Sequence, residues 1–224
     1  MSENNENKLN PLELVRNVAL SVTDDAAQAL LRRAITQHPN RTPAEVLGAL
    51  DKMYLTGTIT SGAAVGAVAA APGVGTLTAL AANVTEVTAN LTATMTLALA
   101  YAHIHGLEIV DVERKTTLLM GVLLGDTTKG LIAQVSERTG THWAKQFVKA
   151  VPASSLKEVN KILGKNFVTK FGTKEGIIVL GREAPFFIGA FIGGVANGLM
   201  AKFAIKSMHK AFGPPPANFP TRTN

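Results

Sequence analysis

Apolar and polar residues recur along most of this chain with the 3.6-residue period of a helix, and no run alternates strictly enough to predict a strand. Residues 24–35, "DDAAQALLRRAI", place acids in the first turn and arginines in the last, as the helix macrodipole favours. In "TPAEVLGALDKM", Thr42 and Glu45 form a capping box with Pro43 at the first helical position. Ser155 and Glu158 repeat the box in "SLKEVNKILGKNF". Residues 53–85 carry no charge, and after Glu86 the next acidic or basic side chain, histidines aside, is Glu108. Pro72, Gly73 and Gly75 interrupt this tract, which predicts a helix over 58–71, a tight turn, and a helix over 75–105, roughly 45 Å long. A third uncharged run covers 184–201. The pattern predicts an all-α fold: a single-domain multi-helix bundle containing a Gly/Ala-rich hydrophobic helical hairpin. Residues 1–10 are expected to be disordered, 11–213 to form the helical domain, and the Pro-rich 214–224 to be a disordered tail.

The third run contains four glycines, each costing a helix about 0.8–1 kcal/mol relative to alanine. Their spacing suggests what offsets that cost. Gly189, Ala190, Gly193, Gly194, Asn197, Gly198 and Ala201 fall on one continuous helix face, small at every position but Asn197. Gly62, Ala63, Gly66, Ala67 and Ala70 repeat the device on the first uncharged helix. Two such ridges let helix backbones approach closely and gain dispersion, so the two are expected to pack together.

Close packing of this kind suits membranes and soluble cores alike. A bilayer span needs about 20 largely apolar residues. The first tract offers 14 before its proline, and the second carries Asn83, Glu86 and Asn90 on one face. Glu86 is read as a buried polar contact inside the bundle, with a lysine or arginine of the second half as its partner. Residues 184–201 are the best span candidate, with the apolar gain of their large side chains largely offset by glycine and Asn197. Phe186, Phe187 and Phe191 could line a cleft for a lipid tail.

Composition then narrows the function. Cysteine is absent, which excludes disulfides and thiolate chemistry, and the polar start "MSENNENKLN" lacks a signal pattern, so a cytoplasmic chain is expected. The net charge of +6 hides a division: residues 1–113 carry 6 basic and 11 acidic side chains, a balance of −5, and residues 114–224 carry 16 and 5, a balance of +11. The second half is therefore suited to an anionic partner. Lys157, Lys161 and Lys165 are spaced by four, flanked by Lys170 and Lys174, beside an apolar stripe of Leu156, Val159, Ile162, Leu163 and Phe167. Such a helix can lie on an anionic membrane, or serve as a bundle helix with its lysines in water. Sparse aromatic and arginine content there disfavours nucleic acid. His103, His105, Glu108 and Asp111 read as polar residues at a helix end, not as metal ligands, and no nucleophile elbow or nucleotide-binding glycine loop is present. No cofactor or catalytic residue is assigned.

The stretch "APFFIGAFIGGVANGLMAKFAIKSMHKAFG" resembles the C-terminal signature of the EcsC-like bacterial proteins, matching at Pro185, Gly189, Ala190, Gly193, Gly194 and Asn197. "APGVGTLTALAANVTEVTANLTATMTLALAYAHIHGLEI" is similar to that family's middle helix, except that Ala102 follows Tyr101 where a glycine is usual. The resemblance covers about residues 45–213 and implies a helical, membrane-associated character without an activity to carry over. The expectation is a non-enzymatic protein at the cytoplasmic membrane surface, contacting anionic membrane lipids through Lys157, Lys161, Lys165, Lys170 and Lys174. An adaptor of a transporter or envelope complex, with a membrane-protein partner, and a membrane-inserting, pore-forming-like protein remain the alternatives.

Overall fold

The computed structural model describes residues 11–37, 41–69, 76–133, 142–171 and 194–220. Local chemistry sets the helix starts. Proline opens α1 (Pro11–Ser21), and Thr23 caps α2 (Asp24–Thr36), its hydroxyl accepting the Ala26 N–H at 3.3 Å. Ahead of α3 (Pro43–Ala69) the capping box closes in both directions. The Thr42 N–H donates to the Glu45 carboxylate at 2.8 Å, and the Glu45 N–H donates to the Thr42 hydroxyl at 3.4 Å. Asp111 caps α5 (Val112–Leu124) by accepting the Arg114 N–H at 2.8 Å. The other helices are α4 (Thr76–Ile104), α6 (Thr127–Ala133), α7 (Trp143–Ala150), α8 (Ala153–Phe171) and α9 (Gly194–Phe212). The described residues contain no strand, and the chain is an all-α multi-helix bundle.

Several boundaries differ from the sequence reading. The segments expected as separate helices around 43–53 and 58–71 are one helix, α3. Gly57 lies inside it, and the hydroxyls of Thr58 and Thr60 are satisfied within the helix by the carbonyls of Tyr54 and Thr56 at 2.8 and 2.9 Å. Helix α8 starts at Ala153, so Ser155 lies inside it and the expected capping box does not form; the Ser155 N–H donates to the Pro152 carbonyl instead. The second predicted hairpin helix, 75–105, is α4. Residues 214–220 of the Pro-rich tail follow a non-helical course against the bundle, with the Lys145 ammonium donating to the Pro214 carbonyl at 3.2 Å. Residues 1–10 lie outside the described part.

Helices α4 and α5 form the centre. From Leu97 to Ala102 every residue of α4 is buried, and so are all ten from Lys115 to Leu124 of α5. A helix buried all round must be enclosed by others. Helix α1 packs on α4, α5 and α8; α2 on α3 and α4; α8 on α5; and α9 on α3, its most extensive contact. One apolar cluster draws on all nine helices of the described residues, from Val15 to Phe212. Helices α3 and α4 run antiparallel as a hairpin, with Tyr54 bonded to Thr94 at 2.7 Å and Tyr101 to Asp51 at 2.5 Å. Among the described residues no helix is long and apolar enough to cross a membrane.

Candidate functional site

Burial divides α8 cleanly. Leu156, Val159, Asn160, Leu163 and Phe167 face the core, while Lys157, Lys161 and Lys165 are exposed one turn apart. The apolar stripe therefore packs on the bundle and leaves the lysines facing outward. A buried polar network fixes the helix in register on α5. The Thr117 hydroxyl donates to Asn160 Oδ1 at 2.5 Å, and Asn160 Nδ2 donates to the Glu113 carboxylate at 2.6 Å. Arg16 of α1 approaches the same carboxylate at 3.6 Å. Gly164 faces α1, where an added Cβ would be in ordinary contact with both Leu12 methyls at 3.4 Å. The ridge faces solvent at Lys157, Lys161 and Lys165. Glu158 lies 3.7 Å from Lys161, but both side chains are more than half exposed, so the pair is worth little.

A second polar cluster joins α3, α4 and α9. The buried Tyr101 hydroxyl donates to Asp51, and His209 Nε2 lies 2.8 Å from Asp51 Oδ2 and 3.1 Å from the tyrosine oxygen. Burial, and then the Asp51 charge, push the Tyr101 pKa far above its ordinary value, so the phenol stays protonated and acts as a donor. His103 is engaged elsewhere, 2.7 Å from Asp24 of α2, and Asp111 serves as a helix cap. His105 stacks on Phe212 with ring centroids 5.4 Å apart, and neither of its buried ring nitrogens has a hydrogen-bond partner among the described residues. Burial, helped by Lys145, His142 and His209, lowers its pKa to about 4, so it is neutral at pH 7. No three His, Asp or Glu side chains among the described residues are grouped as a metal site requires.

On the small-residue ridge of α9, Ala201 is buried and Gly198 has a described contact. The glycine is buried against α3, where an added Cβ would lie 3.1 Å from Ile59 Cγ1. Asn197, beside it on α9, is half-buried. Gly194 begins α9, Gly62 and Gly66 fall on α3, Glu86 on α4 and Lys170 on α8, but the surroundings of all five lie outside the described part. Gly189, Gly193, Lys174 and the phenylalanines at 186, 187 and 191 lie outside it altogether. The sequence reading missed a second lysine ladder. Lys202, Lys206 and Lys210 are exposed on α9 at the same four-residue spacing as those on α8. The four-residue spacing is visible in "AKFAIKSMHKAFG", directly after the uncharged run. No family model matches this chain, and no curated protein or solved structure matches it.

Proposed function

We propose that this chain is a non-enzymatic, membrane-associated helical protein that makes reversible contact with anionic lipid through the lysine ridge of α8. The observation that carries the reading is the outward row of Lys157, Lys161 and Lys165 on a helix whose apolar face is locked onto α5. Because that apolar face is occupied, attachment is electrostatic. Each lysine near an anionic surface contributes about 1 kcal/mol, so the three give about 3 kcal/mol, enough for a weak, salt-sensitive contact. The +11 balance of residues 114–224 and the resemblance to EcsC-like proteins support the same reading.

Flotation with vesicles tests it. Binding is expected to vesicles containing phosphatidylglycerol but not to purely zwitterionic ones. It should be lost at about 1 M salt, where the screening length falls to about 3 Å. Lys157→Gln/Lys161→Gln/Lys165→Gln should lose binding while keeping the parent's melting temperature. Retention through high salt and a carbonate wash would instead favour insertion, and absence of binding would favour the adaptor.

A further inference from the structure

A groove of about 580 Å³ opens between the α5–α6 turn, α7 and the end of α9. Two glycines shape it. Gly125, with φ +66°, turns the chain out of α5, and Phe203 of α9 lies so close that a Cβ there would be 2.6 Å from its ring. Gly213, with φ +71°, ends α9, its N–H donating to the His209 carbonyl at 2.8 Å. A side chain at 213 would run into the His142 ring, which sits over the carboxyl end of α9 with Nδ1 3.3 Å from the Lys210 carbonyl.

The polar lining is strongly cationic. Lys129, Lys206 and Lys210 face the groove with one acid, Asp126, giving a balance of +2 before the histidines are counted. Lys210 grips both oxygens of Asp126 at 2.7 and 2.8 Å, which holds that carboxyl below its ordinary pKa and closes one side of the groove. Lys129 and Lys206 have no hydrogen-bond or ion-pair partner among the described residues. The carboxyl end of α9 brings about −0.5 charge, leaving about +1.5. Cations gathered on a concave wall reinforce one another's field.

We infer that this groove binds the dianionic group of a phosphate monoester, which carries about −1.5 to −2 charge at pH 7 and so matches it. Lys129 and Lys206 make the primary contacts. Trp143 and Pro214 supply an apolar wall for whatever carries the phosphate. A phosphodiester, with a single charge and two terminal oxygens in place of three, matches the lysines less well. The site is distinct from the α8 ridge and does not rest on it. Free phosphate and a lipid-borne monoester present the same chemistry, and the experiment separates them.

Trp143 is the sole tryptophan of the chain, is buried, and lines the groove, so its emission reports occupancy directly. Titrations would use inorganic phosphate, monomeric dihexanoyl phosphatidic acid, and dihexanoyl phosphatidylglycerol as the diester, followed by Trp143 emission and calorimetry. At least one monoester-type probe should bind with a Kd of about 1 mM or tighter, and at least about ten-fold tighter than the diester. Equal affinity for phosphate and phosphatidic acid would assign a free phosphate group; tighter binding of phosphatidic acid would assign a lipid headgroup. Lys129→Gln/Lys206→Gln, two exposed positions, should weaken binding at least about ten-fold. The triple glutamine variant of α8 should change it less than about two-fold, as independent sites require. No saturable binding of phosphate or phosphatidic acid up to about 10 mM, a diester bound as tightly, or an unaffected Lys129→Gln/Lys206→Gln variant would each overturn the inference. Failure of vesicle flotation alone would leave it standing.

Discussion

Tyr101 joins three helices with one side chain. Its ring lies edge-on to His209 at 5.6 Å and tilted against Phe212 at 5.7 Å, while its hydroxyl reaches across to Asp51 of α3. The bond is charge-assisted and largely shielded from water, since Asp51 is 16% exposed. Tyr101→Phe keeps the ring packing and deletes only the donor, so it should cost about 1.5–3 kcal/mol in urea unfolding, in the range for hydrogen bonds to charged groups. A loss below about 0.5 kcal/mol would mean that water or His209 replaces the phenol without penalty. None of this was legible in the sequence, where Tyr101 reads as the end of an aliphatic helix. Its partners stand 50 and 108 positions away along the chain, and only the packing of α3 and α9 on α4 brings them together.

At the scale of elements, caps and uncharged tracts were legible because their causes are local. Thr42 and Glu45 announce α3, and the two hairpin helices end and begin close to where Pro72 and the neighbouring glycines suggest. Helix α5 leaves a weaker local trace: its "ERK" start carries three charges, yet Lys115 is buried and its ammonium donates to the Val22 carbonyl, just past α1, at 2.7 Å. Long-range satisfaction of a charge leaves no periodic trace. The small-residue ridge was half legible, since spacing shows which face is bare but not what covers it. Gly198 against Ile59 gives that contact a test. Gly198→Leu should overpack the α3–α9 interface and cost about 1–3 kcal/mol. Ile59→Ala should recover at least half of the loss, giving a favourable coupling in a double-mutant cycle by thermal or urea unfolding. If Gly198→Leu is as stable as the parent, the two helices are not in close contact there.

For the whole molecule, the opposite charges of the two halves of the sequence are not two regions in space, because α1 packs on α5 and α8, and α3 on α9. What the fold does concentrate is cationic surface near a buried neutral base. His105 is closed in beside Phe212, with Lys145, His142 and His209 acting on it, and its pKa falls from the ordinary 6.5 to about 4. At pH 7 the ring is mostly neutral folded or unfolded and contributes little pH dependence. As pH drops below 6.5 the unfolded chain takes up a proton that the folded chain refuses until about pH 4. Stability should therefore decline through that window and, for this group, level off below it. Glu45 and Asp126 act in a separate, more acidic range. Their carboxyls are held below the ordinary values of 4.5 and 3.8, so the stabilisation they give above those values is lost as pH falls through the lowered ones. His105→Phe keeps a ring against Phe212 and removes the titrating group. Melting temperatures measured between pH 7 and pH 4 should fall more steeply for the parent than for this variant, with the two curves parallel below pH 4. Parallel curves across the whole range would mean that the imidazole is protonated in the folded state and that His105 is not the acid-sensitive point of the bundle.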